Sequence, residues 1–178
     1  MINTSQAMLS YGPDNDRWDP LLTLEKHGRH RLTSVELTVT NLCNMRCEHC
    51  AVGDTLAFAE PPKMPLVDVL RMLDQADCLE TLSITGGEPM FRSDTVRDYI
   101  LPILKYARER GVLTQLNSNL TLDYAIYETI APFLDVLHMS YNYTDVRDFH
   151  EIGFARASHA VAEETAARLY ERMIDNAV

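Results

Sequence analysis

Three of the chain's four cysteines fall in one short segment, Thr40-Asn-Leu-Cys43-Asn-Met-Arg-Cys47-Glu-His-Cys50. The spacing is C-x3-C-x2-C, and thiolates this close in sequence can converge on one metal centre. A [4Fe–4S] cluster usually takes four cysteine ligands, so three would leave one iron free to bind something else. An open coordination position marks catalytic rather than structural metal sites. The competing reading is a zinc site in which Cys43, Cys47 and Cys50 are completed by His49 or a later residue. Zinc fingers usually set a second cysteine pair downstream, and this sequence has none. Cys78, the remaining thiol, stands beside Leu79 and reads as a plain buried cysteine.

These residues need a scaffold, and a β-then-α rhythm supplies one. Ser34 to Thr40 alternates apolar and β-branched residues as a strand does, and it ends where the cysteines begin. A long loop passes Gly53 and Pro61-Pro62. Pro65 then opens a helix whose Leu66, Val69, Leu70 and Leu73 recur at helical spacing. A second strand, Glu80 to Thr85, stops at Gly86-Gly87-Glu88-Pro89. Ser93 or Asp94 caps the next helix, Pro102 should kink it or mark its true start, and Gly111 closes it. A third strand over Val112–Asn117, a short helix over Asp123–Leu134, a fourth strand over Asp135–Tyr141 and a last helix from His159 to about Asp175 complete the pattern. Strand-to-helix alternation implies a parallel sheet with functional groups at the carboxyl ends of its strands. Residues 1–32 are polar and broken by Gly, Pro, Asn and Asp, so they read as an irregular N-terminal arm ahead of a domain over 33–178.

The cysteine spacing after a first strand, followed in order by Gly-Gly-Glu-Pro after a second, resembles the radical S-adenosylmethionine (SAM) superfamily. That resemblance implies an α/β fold, here a (βα)4 portion of a TIM-like partial barrel whose expected core is (βα)6. It implies two cofactors: a [4Fe–4S] cluster on Cys43, Cys47 and Cys50, and SAM chelated to the free iron. It implies reductive cleavage of SAM to a 5′-deoxyadenosyl radical that takes a hydrogen from a substrate. His49, just before the third cysteine, would pack near the adenine. Gly86 and Gly87 would let the backbone approach the ligand, Glu88 would accept from the methionine ammonium, and Pro89 would fix the turn. Asn117-Ser118-Asn119 stands roughly where relatives carry Thr-Asn-Gly. Ser140 and Asn142, beside Tyr141, end the fourth strand where polar groups reach the ribose. Arg46 and Arg92 are cations for the SAM carboxylate or substrate, or else exposed arginines.

The context looks most like the YfkAB-type group, whose complete members carry a further cysteine motif downstream. A core of six units also implies that the chain is a fragment of a longer polypeptide, or that another chain completes it. Partners implied are a small-molecule or peptide substrate and a reductant such as flavodoxin or ferredoxin. The substrate itself is not legible.

The 178 residues carry a formal charge of −10, against nucleic acid as the main partner, because phosphate backbones are bound by clustered Lys and Arg. No run of about 18 apolar residues suits a membrane span, and Met1-Ile-Asn-Thr lacks the pattern of a signal peptide, so the expected location is cytoplasmic. A function from another class, a non-catalytic zinc-binding scaffold, stays open. Electron transfer alone would leave Gly-Gly-Glu-Pro without a purpose.

Overall fold

A computed structural model describes residue 28 and residues 32–76, 78–141, 143, 145–151 and 158–175. The N-terminal arm expected over 1–32 therefore lies outside the described residues apart from Gly28 and Leu32. Strands β1 (Ser34–Thr38), β2 (Thr81–Thr85), β3 (Leu113–Ser118) and β4 (Val136–Met139) form one parallel sheet in the order β1-β2-β3-β4. Between them run α1 (Leu66–Asp74), α2 (Ser93–Thr95, Val96–Ile100 and Leu101–Glu109 end to end) and α3 (Tyr124–Ile130). After β4 come α4 (Val146–Glu151) and α5 (His159–Asp175).

The two faces of the sheet differ because the strands alternate. Pairing puts Leu82, Ile84, Thr114 and Leu116 on one face. There they pack with Val69 and Leu73 of α1, Val96, Ile100, Ile103 and Leu104 of α2, and Tyr127 and Ile130 of α3. Burying each large apolar side chain contributes roughly 1.5–3 kcal/mol, so this layer holds the helices to the sheet. The other face carries Glu36, Ser83, Thr85, Gln115, Asn117 and His138. Thr85 Oγ1 donates to Glu36 Oε1 (3.2 Å) and Gln115 Nε2 to Ser83 Oγ (3.4 Å). Doubly covered parallel sheets are apolar on both faces. A wall that is apolar toward its helices and polar on the other side suits the inside of a partial barrel.

Several boundaries move for local reasons. The first strand ends at Thr38, although Val39 N still donates to Thr85 O (3.1 Å). Pro102 sits in the first turn of the regular α-helical stretch Leu101–Glu109, near the start expected of it. The helix widens over Val96–Ile100, where Leu101 N donates to Val96 O, and this extra residue per turn takes up the absent proline N–H and its ring. Gly111, at φ 69°, closes α2, with Val112 N donating to Ala107 O (3.0 Å). Asp123 caps α3 by accepting from Ala125 N (2.9 Å). That helix stops at Ile130 and tightens over Ala131–Phe133, because Pro132 has no N–H to continue it. The sequence reading missed α4. Its signal was Asp145, whose Oδ1 accepts from Arg147 N (2.8 Å) and Asp148 N (3.0 Å). Among the described residues no helix is long and apolar enough to cross a membrane.

Candidate cofactor site at the carboxyl ends of the strands

The loop after β1 is closed on itself before any ligand is considered. Leu42 and Ala57 form a parallel bridge, and Ala57 N donates to Asn41 O (2.8 Å). Inside it, Cys50 N donates to Cys47 O and Gly53 N to Cys50 O, both at 3.1 Å. Irregular backbone leaves carbonyls without partners, and Arg46 supplies them. Its guanidinium donates to the carbonyls of Cys43 (2.9 Å), Met45 (2.8 Å) and Ala57 (3.0 Å), and it lies over the Phe58 ring. Arg46 thus holds the loop's own backbone. Arg92 is exposed and paired with Asp94.

The Gly-Gly-Glu-Pro turn leans on that loop. Gly87 N donates to Thr40 O (2.8 Å) and Glu88 N to Leu42 O (2.7 Å). A Cβ on Gly86 would stand 2.3 Å from Thr40 O, and one on Gly87 would stand 2.2 Å from Leu42 O. Gly86 also has φ 144°, a conformation other residues rarely take. Both glycines line the pocket described below, but their missing side chains make room for the cysteine loop's backbone.

Glu88 is fully buried. Its Oε1 accepts from Met90 N (2.8 Å) and Ser118 Oγ (2.9 Å), and its Oε2 accepts from Asn119 N (2.6 Å). Burial pushes the carboxyl up to about 7 against these donors, which pull the other way. A carboxylate offers about four lone-pair sites, so one position on Oε2 is left by this count. The side chain is a bracket between the ends of β2 and β3. Ser118 Oγ also meets Tyr127 OH at 2.8 Å inside the core, so Ser118 supports Glu88 from behind.

Sequence reasoning missed the network that ties the end of β3 to the cysteines. Asn44 Nδ2 donates to Thr121 Oγ1 (2.7 Å), which donates to Asn119 Oδ1 (2.7 Å), while Asn119 Nδ2 donates to Asn44 Oδ1 (3.0 Å) and lies 3.9 Å from Cys43 Sγ. Between Asn119 and Thr121, Leu120 is buried with φ 63°, unusual for a branched residue. A glycine would take that conformation freely, so Ser118-Asn119-Leu120, one residue later than expected, is the register in which Thr-Asn-Gly would fit.

The strand ends surround a pocket of about 390 Å3. Cys43, Cys47, Cys50 and His49 line one side, Gly86–Pro89 another, and Asn117, Ser118, Asn119, Ser140 and Tyr143 the rest. His49 and Ser140 are exposed there. Asn142 lies outside the described residues. Tyr141 turns away, its hydroxyl 3.1 Å from His159 Nε2. All three loop thiols are half-buried, as is Cys78, which precedes β2 and so sits at the opposite end of the sheet. Burial pushes the Cys43 thiol up to about 11, with Met45 N–H lowering it and Glu88 raising it. Ligands of a single tetrahedral zinc stand within about 4 Å of one another, since Zn–S bonds are ~2.3 Å. Among the described residues, no three His, Cys, Asp or Glu side chains are arranged to hold one metal ion.

The radical SAM superfamily's family model matches residues 37–178, most of the chain. The chain belongs to the radical SAM superfamily. Within this superfamily it is similar to YfkA of Bacillus subtilis (strain 168), 51% identical over 164 residues, covering 92% of this chain and 44% of YfkA. A GTP 3′,8-cyclase of Pasteurella multocida (strain Pm70) is 24% identical over 131 residues, which cover 70% of this chain and 37% of the cyclase. The chain therefore spans under half the length of these relatives. Among solved structures, a histidine-tagged anSMEcpe with bound AdoMet matches with TM-score 0.52 at 15% identity, over 79% of this chain and 41% of that one. This last likeness shows the fold, and it agrees with the partial-barrel wall. An iron–sulfur cluster and SAM are the cofactors that membership implies.

Proposed function

We propose that Cys43, Cys47 and Cys50 bind a [4Fe–4S] cluster and that the adjoining pocket takes SAM, making this chain the cofactor-binding part of a cytoplasmic radical SAM enzyme. The observation that carries the reading is the pocket itself, in which three thiols of one loop face the Gly-Gly-Glu-Pro turn and the polar end of β3. Its volume of about 390 Å3 falls within the range of small-molecule pockets, ~300–1,000 Å3. Held by Cys43, Cys47 and Cys50, a reduced cluster would supply the electron for cleavage of a carbon–sulfur bond of SAM, to methionine and a 5′-deoxyadenosyl radical that would abstract a substrate hydrogen.

The chain's own groups bind and orient. The bracket of Glu88 fixes the Gly86–Pro89 turn against the end of β3, with one carboxylate position for an ammonium. Burial disfavours the charged form of Glu88, so a cationic group beside it would stabilise the carboxylate. His49 and Ser140, exposed at the rim, fit contacts to the adenine and ribose. Asn117 connects the pocket to the polar face of the sheet, where Glu36, Gln115 and His138 offer contacts for a small polar or peptide substrate. A flavodoxin or ferredoxin is the reductant this chemistry calls for.

Anaerobic reconstitution tests the reading. The chain should take up about four irons and bind SAM, and dithionite should release 5′-deoxyadenosine. Reconstituted protein that neither bound SAM nor formed deoxyadenosine would remove the proposal. One equivalent of zinc that persisted while iron never entered would replace it with the scaffold reading.

A further inference from the structure

Tyr143 lies beyond the end of β4, outside both sequence motifs, and yet it touches the cysteine loop. Its ring is buried and packs edge-on against Tyr141 (centroids 6.0 Å apart) and Phe149 (5.3 Å), with Met45 in the same cluster. Its hydroxyl stands 3.0 Å from Cys47 Sγ. With a free thiol, either atom can donate. A sulfur that ligates iron has lost its proton, so the phenol is then the donor.

We propose that Tyr143 is a positioning residue for the cluster, whose hydroxyl donates to the Cys47 sulfur and raises the cluster's reduction potential; this rests on the reading of the three cysteines as cluster ligands. The physical reason is charge. Reduction adds an electron shared with the cluster's sulfurs, so a donor aimed at one of them stabilises the reduced form more than the oxidised form. Hydrogen bonds to sulfur are among the determinants of such potentials, and a buried site strengthens them. The ring is held before the metal arrives, so no side chain has to be ordered for the bond to form. Asn119 Nδ2 acts on Cys43 from a longer 3.9 Å, which leaves Tyr143 the closer side-chain donor.

The test is an anaerobic redox titration of the reconstituted chain, followed by electron paramagnetic resonance, with iron counted in each sample. Tyr143→Phe keeps the ring and removes the donor. It should retain about four irons and shift the one-electron reduction equilibrium roughly tenfold toward the oxidised form, ~59 mV. Tyr141→Phe removes a neighbouring hydroxyl that faces His159 and should leave the midpoint unchanged. An intact cluster with an unchanged midpoint in Tyr143→Phe overturns the proposal, as does an equal shift in Tyr141→Phe, which would trace the effect to packing. If Tyr143→Phe fails to assemble a cluster, fluorotyrosine placed at position 143 decides. It keeps the ring and is a stronger donor, so the midpoint must rise, and an unmoved midpoint overturns the assignment. An unaltered chain that takes up no iron removes the cluster reading itself, and with it this one.

Discussion

The two loops that meet at the top of the sheet are held in different ways. In the Gly86–Pro89 turn the protein largely satisfies itself: both Gly87 N and Glu88 N are bonded to the cysteine loop, and the Glu88 carboxylate accepts from three donors, at Met90, Ser118 and Asn119. In the cysteine loop the backbone is fixed by Arg46 and the Leu42–Ala57 bridge, while the thiols themselves stay half-buried beside an open pocket. One loop is finished as a folded structure, and the other is fixed along its backbone while its three cysteines border the pocket. Substitutions in the first should cost stability with or without cofactor. Substitutions at the sulfurs should cost the cofactor and little else.

The sharpest break between the two comes from Cys47→Ser. Bound iron after reconstitution should fall from about four per chain to near zero, while the metal-free chain loses no more than ~1 kcal/mol, because a half-buried thiol is exchanged for a hydroxyl of similar shape. Iron counting and urea unfolding of the metal-free chain read the two effects separately. Large destabilisation without metal would show that the thiols also hold the loop.

The opposite pattern is expected for Gly87→Ala. The added methyl would sit 2.2 Å from the Leu42 carbonyl oxygen, a backbone atom that cannot swing aside. The cost is about 3 kcal/mol or more, ~6–12 °C in Tm for a chain of this size, in the absence of any cofactor. A loss under 1 kcal/mol would mean that the two loops separate freely, and the comparison would fail.

Glu88 makes the comparison depend on pH. Its folded-state pKa of about 7 lies above the ordinary value of 4.5, so the folded protein holds this proton more tightly than the unfolded chain does. Its contribution to stability is therefore fully present below about 4.5 and is lost as pH rises through about 7. The full change amounts to about 3 kcal/mol. Glu88→Gln cannot titrate, so unfolding free energies measured from pH 5 to 8 should run flatter than those of the unaltered chain. The variant should also be weaker at the low end, by about 1–3 kcal/mol, because its amide N–H2 faces the Asn119 N–H. Parallel pH profiles in the two proteins would show that Glu88 ionises freely, which its burial contradicts.

How much of this was visible in the sequence depended on the kind of interaction. The alternation in Ser34–Thr38 and Thr81–Thr85, the spacing in Leu66–Leu73 and the cysteine spacing are local patterns, and they gave the element order and the loop that lines the pocket. One end shifted where a proline acted, at Pro132, and the helix begun at Asp145 was missed. The tie between Asn44, Asn119 and Thr121 spans more than 70 residues, and neither Tyr143 nor the φ of Leu120 has a local signature. The two glycines were read for close approach to a ligand, and the fold adds a second close neighbour. Only the fold shows that the neighbour is the backbone of Thr40 and Leu42.

The smallest effect tests whether the two loops communicate through that distant tie. Thr121→Val keeps the side chain's shape but removes the hydroxyl that accepts from Asn44 and donates to Asn119. Asn119 Oδ1 keeps the Thr121 N–H, and half-buried Asn44 can reach water, so the expected loss is only about 1 kcal/mol. The location of that loss carries the information. Amide exchange should quicken over residues 43–47, which lean on Asn44, and stay unchanged over 86–90, which Glu88 brackets independently. Faster exchange in both segments would show that the Glu88 bracket depends on the network. No change in either would show that the cysteine loop is held by Arg46 and the Leu42–Ala57 bridge alone.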